Sequence, residues 1–124
     1  MPDSRAPGEM SASPLSISAR DLQARLQAGE AIQLVDVRED NELELARLAA
    51  PVLHLPLSRS SEWIDRIGTL IDPQRPVAVL CHAGVRSWHF GCWLIQEHGH
   101  PQVWNIQGGI DAWSVAVDPS IPRY

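Results

Sequence analysis

The chain has 124 residues, the size of one ordinary domain, with 44% hydrophobic and 20% charged residues, enough for a single core. Its net charge is −5, its ten basic residues are all arginines without a cluster, and no run of about 18 apolar residues occurs, so neither nucleic-acid binding nor a membrane span is expected. The opening stretch MPDSRAPGEMSASP lacks the apolar centre of a secretory signal, and the two cysteines make no disulfide framework, so a cytoplasmic protein with reduced thiols is expected.

Residues 1–14 are rich in Pro, Ser, Gly and Ala and read as a mobile tail, with one domain over 15–124. Ser18 to Ala28 suits a helix: Ser18 can cap it, Asp21 favours its first turn, Leu22 and Leu26 share a face, and Gly29 stops it. Ala31 to Val37 is a β-branched run and reads as a buried strand. A short helix is expected over 40–48, ended by Pro51, then a short strand over Val52 to Leu55. Ser60 to Leu70 carries Trp63, Ile64, Ile67 and Leu70 at helical spacing. Val77 to Leu80 is a strand, Ser87 to His98 a largely buried helix, and Gln102 to Ile106 a last strand. Gly108-Gly109 is a turn, and Ile110 to Trp113 begins a final helix or turn.

Strands alternating with helices predict an α/β domain with a mostly parallel sheet. Continuous apolar strands agree, because parallel strands are covered on both faces. Sites in such sheets gather beyond the carboxyl ends of the strands. Four strand ends therefore matter: Asp36-Val37-Arg38, Ser58-Arg59, Cys81 to Arg86, and Gln107-Gly108-Gly109.

Cys81 ends the most strand-like run and opens a loop, His82-Ala83-Gly84-Val85-Arg86, before a helix at Ser87. A thiol is a useful nucleophile only as thiolate. Three features can favour that form here: inward N–H groups of a tight loop, the positive end of the following helix, and the charge of Arg86. Gly84 permits the turn, and Ser87 is placed to cap the helix. A lone cysteine is otherwise most simply a small buried apolar residue.

The segment Cys81-His82-Ala83-Gly84-Val85-Arg86-Ser87 resembles the active-site loop of rhodanese-like sulfurtransferases. Asp36-Val37-Arg38 with Glu42 resembles that family's Asp-Val-Arg segment and downstream glutamate, and Val103 to Trp113, VWNIQGGIDAW, its closing strand, paired glycines and tryptophan. The likeness runs from about Leu15 to Trp113, with three motifs in order. One departure is Ala46-Arg47-Leu48, where the family often has Gly-His-Ile. The resemblance implies a single domain with a five-stranded sheet and helices on both faces. It implies a Cys81 persulfide that carries sulfur from a donor such as thiosulfate to cyanide, a thiol or a protein acceptor, with no cofactor. Arg86 would hold the loop or the anionic donor, and Asp36, Arg38 and Glu42 would tie neighbouring loops together. Arg59 could meet an anionic substrate, although a solvated surface arginine is the simpler and preferred reading.

Three other readings compete. A cysteine-dependent phosphatase of related fold would have one more residue between cysteine and arginine than the four found here. A non-catalytic rhodanese-like sulfur-carrier, binding or regulatory module usually lacks the cysteine. A metal site could draw on His54, Cys81, His82, His89, Cys92, His98 and His100, but no CxxC pair or zinc-like spacing is present. Five tryptophans, at 63, 88, 93, 104 and 113, read as core and rim packing, with Trp88 notable just beyond the loop.

Overall fold

The computed structural model describes residues 13–124. Five strands form one sheet: β1 (Leu15–Ile17), β2 (Gln33–Asp36), β3 (Leu53–His54), β4 (Val77–Leu80) and β5 (Val103–Ile106). Their order is β1-β5-β4-β2-β3, and every pairing is parallel. The helices are α1 (Ala19–Gln27), α2 (Asp40–Leu45), α3 (Ile67–Leu70), α4 (Val85–His98) and α5 (Gly109–Ala116).

Side-chain alternation along the strands divides the core in two. Leu34, Ala78, Leu80, Trp104 and Ile106 meet Ala19 and Leu22 of α1 and Ile110 and Trp113 of α5 on one face. Val35, Val77, Val79 and Val103 meet Phe90, Leu94 and Ile95 of α4, with Trp63 and Ile67, on the other. Helices thus cover both faces, as expected. Ala46 and Leu48, which replace the Gly-His-Ile sequence, are both buried in the α1–α5 layer.

Several local expectations hold. Ser18 caps α1 by accepting from the Asp21 amide at 3.1 Å. Gly99 ends α4 in the left-handed region. Three need correction. The chain has a strand that its own pattern does not announce: β1 is only three residues long, two of them exposed, and it exists by pairing with β5. The helix expected over Ser60 to Leu70 is instead two 3₁₀ segments, Leu57–Glu62 and Ile64–Arg66, followed by α3. Arg59 leaves helical geometry, and the Trp63 indole turns inward, its Nε1 donating to the Pro56 carbonyl at 3.0 Å. Ser87 does not cap α4, because the helix begins two residues earlier, at Val85, after Gly84. The tail expected over 1–14 falls outside the described residues as far as residue 12; Pro14 itself lies against Gly91 of α4. Among the described residues, no helix is long and apolar enough to cross a membrane.

Candidate active site

Cys81 follows β4 directly and is 1% exposed. Its Sγ receives the Gly84 backbone N–H at 3.0 Å and lies 3.1 Å from the Ser87 hydroxyl. Gly84 has φ 105°, a conformation that strains any side-chain-bearing residue, and this turn is what points its N–H back at the sulfur. Helix α4 starts at the next residue, so its positive end faces the loop.

Asn105 on β5 holds this corner from behind. Along β5 the neighbours Trp104 and Ile106 face the α1–α5 layer, so Asn105 faces α4. Its Nδ2 donates to the Gly84 carbonyl at 2.9 Å, and its Oδ1 accepts from the Ser87 hydroxyl at 2.5 Å. A carbonyl can only accept, so the Gly84 bond fixes which way the amide points. Ser87 then spends its proton on Asn105 and turns lone pairs toward the sulfur, ready to accept from a neutral thiol. The polar residue inside the buried VWNI run was the sequence signal for this role.

The loop is also pinned from α5. The Ile110 N–H donates to the Cys81 carbonyl at 2.9 Å and the Asp111 N–H to the His82 carbonyl at 3.2 Å. Gly109 makes this approach possible: it has φ 61°, and a Cβ there would stand 2.5 Å from the Cys81 carbonyl oxygen. The paired glycines therefore serve the thiol loop and not only the turn after β5.

Arg86 sends two bonds to Glu42, Nη1 to Oε1 at 2.6 Å and Nη2 to Oε2 at 2.8 Å. These bonds, aided by the Glu39 amide and the Tyr124 hydroxyl, hold the Glu42 carboxyl down to about 2. In turn Glu42 raises the Arg86 guanidinium above its ordinary value. Arg86 thus has two partners: Glu42, whose bonds fasten the loop to α2, and Cys81, with which it interacts electrostatically. Arg38 is fully buried and pairs with Asp36 through Nε and Nη2, at 3.0 and 2.8 Å. Its Nη1 reaches the Glu42 carbonyl and the Tyr124 hydroxyl, and its own carbonyl lies 2.6 Å from the His54 Nε2. Asp36, Arg38, Glu42 and Arg86 therefore form one bonded assembly beside the loop.

Arg59 stands apart. It pairs with Asp40 at 2.6 Å and Glu62 at 3.0 Å, and all three side chains are substantially exposed. Ala83 and Val85 are exposed on the outside of the loop, and Trp88 remains 42% exposed on α4. Both cysteines are free thiols; Cys92 is half-buried on α4, and burial pushes its thiol up. Among the described residues, no three His, Cys, Asp or Glu side chains gather as a metal ion would require.

Residues 18–116 match the family model of the rhodanese-like domain. The chain is 40% identical over 111 residues to the rhodanese-like/PpiC domain-containing protein 12, chloroplastic, of Arabidopsis thaliana, covering 87% of this chain but 36% of that protein. It is 32% identical over 101 residues to a sulfurtransferase of Allochromatium vinosum, covering 79% of this chain and 86% of that one. A rhodanese-like domain protein from Staphylococcus aureus has the same fold, with a TM-score of 0.66 at 23% identity over 89% of this chain and 98% of that one. With its cysteine loop, its buried Asp36–Arg38 pair and its paired glycines all in place, the chain belongs to the rhodanese-like domain family.

Proposed function

We propose that this protein is a sulfurtransferase that carries sulfane sulfur on Cys81. The observation that carries the reading is the cradle itself: a sulfur atom at a strand end, with a loop N–H at 3.0 Å and a helix N-terminus beside it. Preorganised donors of this kind stabilise charge without having to reorient during reaction. The similarity to a chain named as a sulfurtransferase over most of its length supports the same chemistry.

The Cys81 thiolate attacks the outer sulfur of a donor such as thiosulfate. An S–S bond forms to Cys81, and the bond to the inner sulfur breaks with its electron pair leaving on sulfite. Cys81 then holds a persulfide. A thiolate or cyanide acceptor attacks its outer sulfur, and the Cys81 thiolate leaves with the electron pair. No cofactor takes part, and the reaction needs reduced thiols, as in a cytoplasmic setting. The acceptor thiol belongs to a small molecule or to another protein.

A phosphatase reading fares less well on the same geometry. A phosphoryl group would need the loop arginine, and both outer nitrogens of Arg86 are bonded to Glu42. The shorter loop also suits one sulfur atom better than three cradled oxygens.

The test is the mass of the intact protein after thiosulfate treatment, followed by turnover with cyanide. One added sulfur atom located on Cys81, and its loss on adding cyanide, are expected. Cys81→Ser should remain folded by circular dichroism and show neither; sulfur transfer in that variant at the parent rate would sink the assignment.

A further inference from the structure

The segment after α5 lies beyond the family match, which ends at residue 116, yet it returns to the thiol loop. It is anchored three times on the way. Ile121 is buried in the α1–α5 layer, and its carbonyl accepts from the Ser114 hydroxyl at 2.6 Å. Arg123 forms two bonds with Asp111 of α5, at 2.8 and 3.1 Å. Asp118 accepts from the Ser120 amide, and Pro119 and Pro122 restrict the backbone between these points. None of these anchors uses Tyr124, so the segment delivers that residue independently of the contacts it then makes.

Tyr124 braces both ends of the loop, one directly and one through Glu42. Its ring stacks on His82, the residue after Cys81, with centroids 4.1 Å apart and planes 12° from parallel. Its hydroxyl donates to the Glu42 Oε2 at 2.8 Å, the same oxygen that holds the Arg86 Nη2, and accepts from the Arg38 Nη1 at 3.1 Å. One side chain thus braces the first loop residue directly and the last through its carboxylate clamp. Tyr124 is still 37% exposed, so it presents surface beside the residue that follows Cys81, while Cys81 itself is covered.

We propose that Tyr124 is a specificity-determining residue: its ring, with His82, sets the width of the entrance to Cys81, and its hydroxyl ties that entrance to the Arg38–Glu42–Arg86 assembly. With the ring in place, slender reactants reach the sulfur. A bulky thiol, such as one on a protein surface, must move the Tyr124 ring off His82 and so loosen the brace. This rests on Cys81 being the reacting atom, as in the proposed function, but the width of its entrance can be read without any sulfur transfer.

The experiment uses the full chain in a Cys92→Ser background, so that Cys81 is the reacting thiol. Rates of Cys81 modification are measured with iodoacetamide and with a maleimide bearing a polyethylene-glycol chain. Tyr124→Ala should raise the ratio of bulky to small reagent by about tenfold, while Tyr124→Phe, which keeps the ring, should stay within about twofold of the parent. Circular dichroism confirms that each variant is folded. A Tyr124→Ala ratio within about twofold of the parent overturns the proposal, as does a Tyr124→Phe ratio as high as that of Tyr124→Ala. In parallel, the Cys92→Ser parent is treated with thiosulfate and weighed. Absence of a persulfide there would defeat the sulfurtransferase reading while leaving the width measurement standing.

Discussion

Two regions use the same pairing of guanidinium with carboxylate to opposite ends. Beside the thiol loop, Arg38 and Asp36 are withdrawn from water and Glu42 nearly so, each making several bonds, and only the outer member, Arg86, reaches 36% exposure. In the 3₁₀ stretch, Arg59 pairs with Asp40 and Glu62 at distances just as short, but all three are substantially exposed. Distance does not separate the two regions; solvent does. An exposed pair gains little because water screens it and long side chains lose freedom to hold it. A buried pair is costly to form but punishing to break, because the remaining charge has no partner. The buried assembly therefore fixes geometry, and the exposed one decorates a surface.

Breaking the buried side should cost most. Asp36→Ala strands the Arg38 charge in the core, and urea unfolding should show a loss of about 3–5 kcal/mol, or no folded protein. Glu42 comes next. An unfolded chain protonates this carboxyl near 4.5, whereas the folded protein holds it to about 2. The unfolded state therefore binds the extra proton between those values, so Glu42 contributes stability above that window and loses it as pH falls through it. Roughly 2–3 kcal/mol is at stake, allowing for residual exposure. Glu42→Gln should remove most of it, so the urea midpoints of parent and variant should converge as pH is lowered from about 5 toward 2. A gap that stays constant over that range would mean that the carboxylate's charge is not what matters.

Arg86→Ala frees one end of the loop. Sulfur transfer should fall about tenfold, equivalent to about 1.4 kcal/mol in the barrier, in a protein still folded by circular dichroism. Arg59→Ala should do least: an unchanged urea midpoint and a rate within about twofold of the parent. If Arg59→Ala slowed transfer more than Arg86→Ala, an anion site would lie at the 3₁₀ stretch, and the contrast between the regions would be reversed.

The strand–helix alternation and the motif set were legible in the sequence, because both rest on local signals: apolar runs, a cysteine before glycine, and paired glycines. Strand β1 was hidden because a three-residue edge strand is created by its neighbour, not by its own pattern. The break at Arg59 was hidden because a helical spacing of apolar residues does not distinguish one α-helix from successive 3₁₀ turns. Asn105 could have been found as the polar interruption of a buried strand. Ser87 was singled out for the wrong bond: three residues into the helix from Gly84, its hydroxyl serves the sulfur and Asn105. Tyr124 carried no local signal, since its place depends on a chain reversal after α5.

The order in which the chain is made gives the Asn105 bond another meaning. Cys81 leaves the ribosome well before Asn105, Gly109 and Tyr124, yet those later residues hold its loop from three sides. Strand β5 is also the partner of β1, so the first strand cannot dock until nearly the last element has emerged. Long-range pairing of this kind comes late in folding. A nascent chain stopped before β5 would therefore carry the thiol loop without its braces from Asn105, α5 and Tyr124, and bracing of the reactive corner would coincide with completion of the domain.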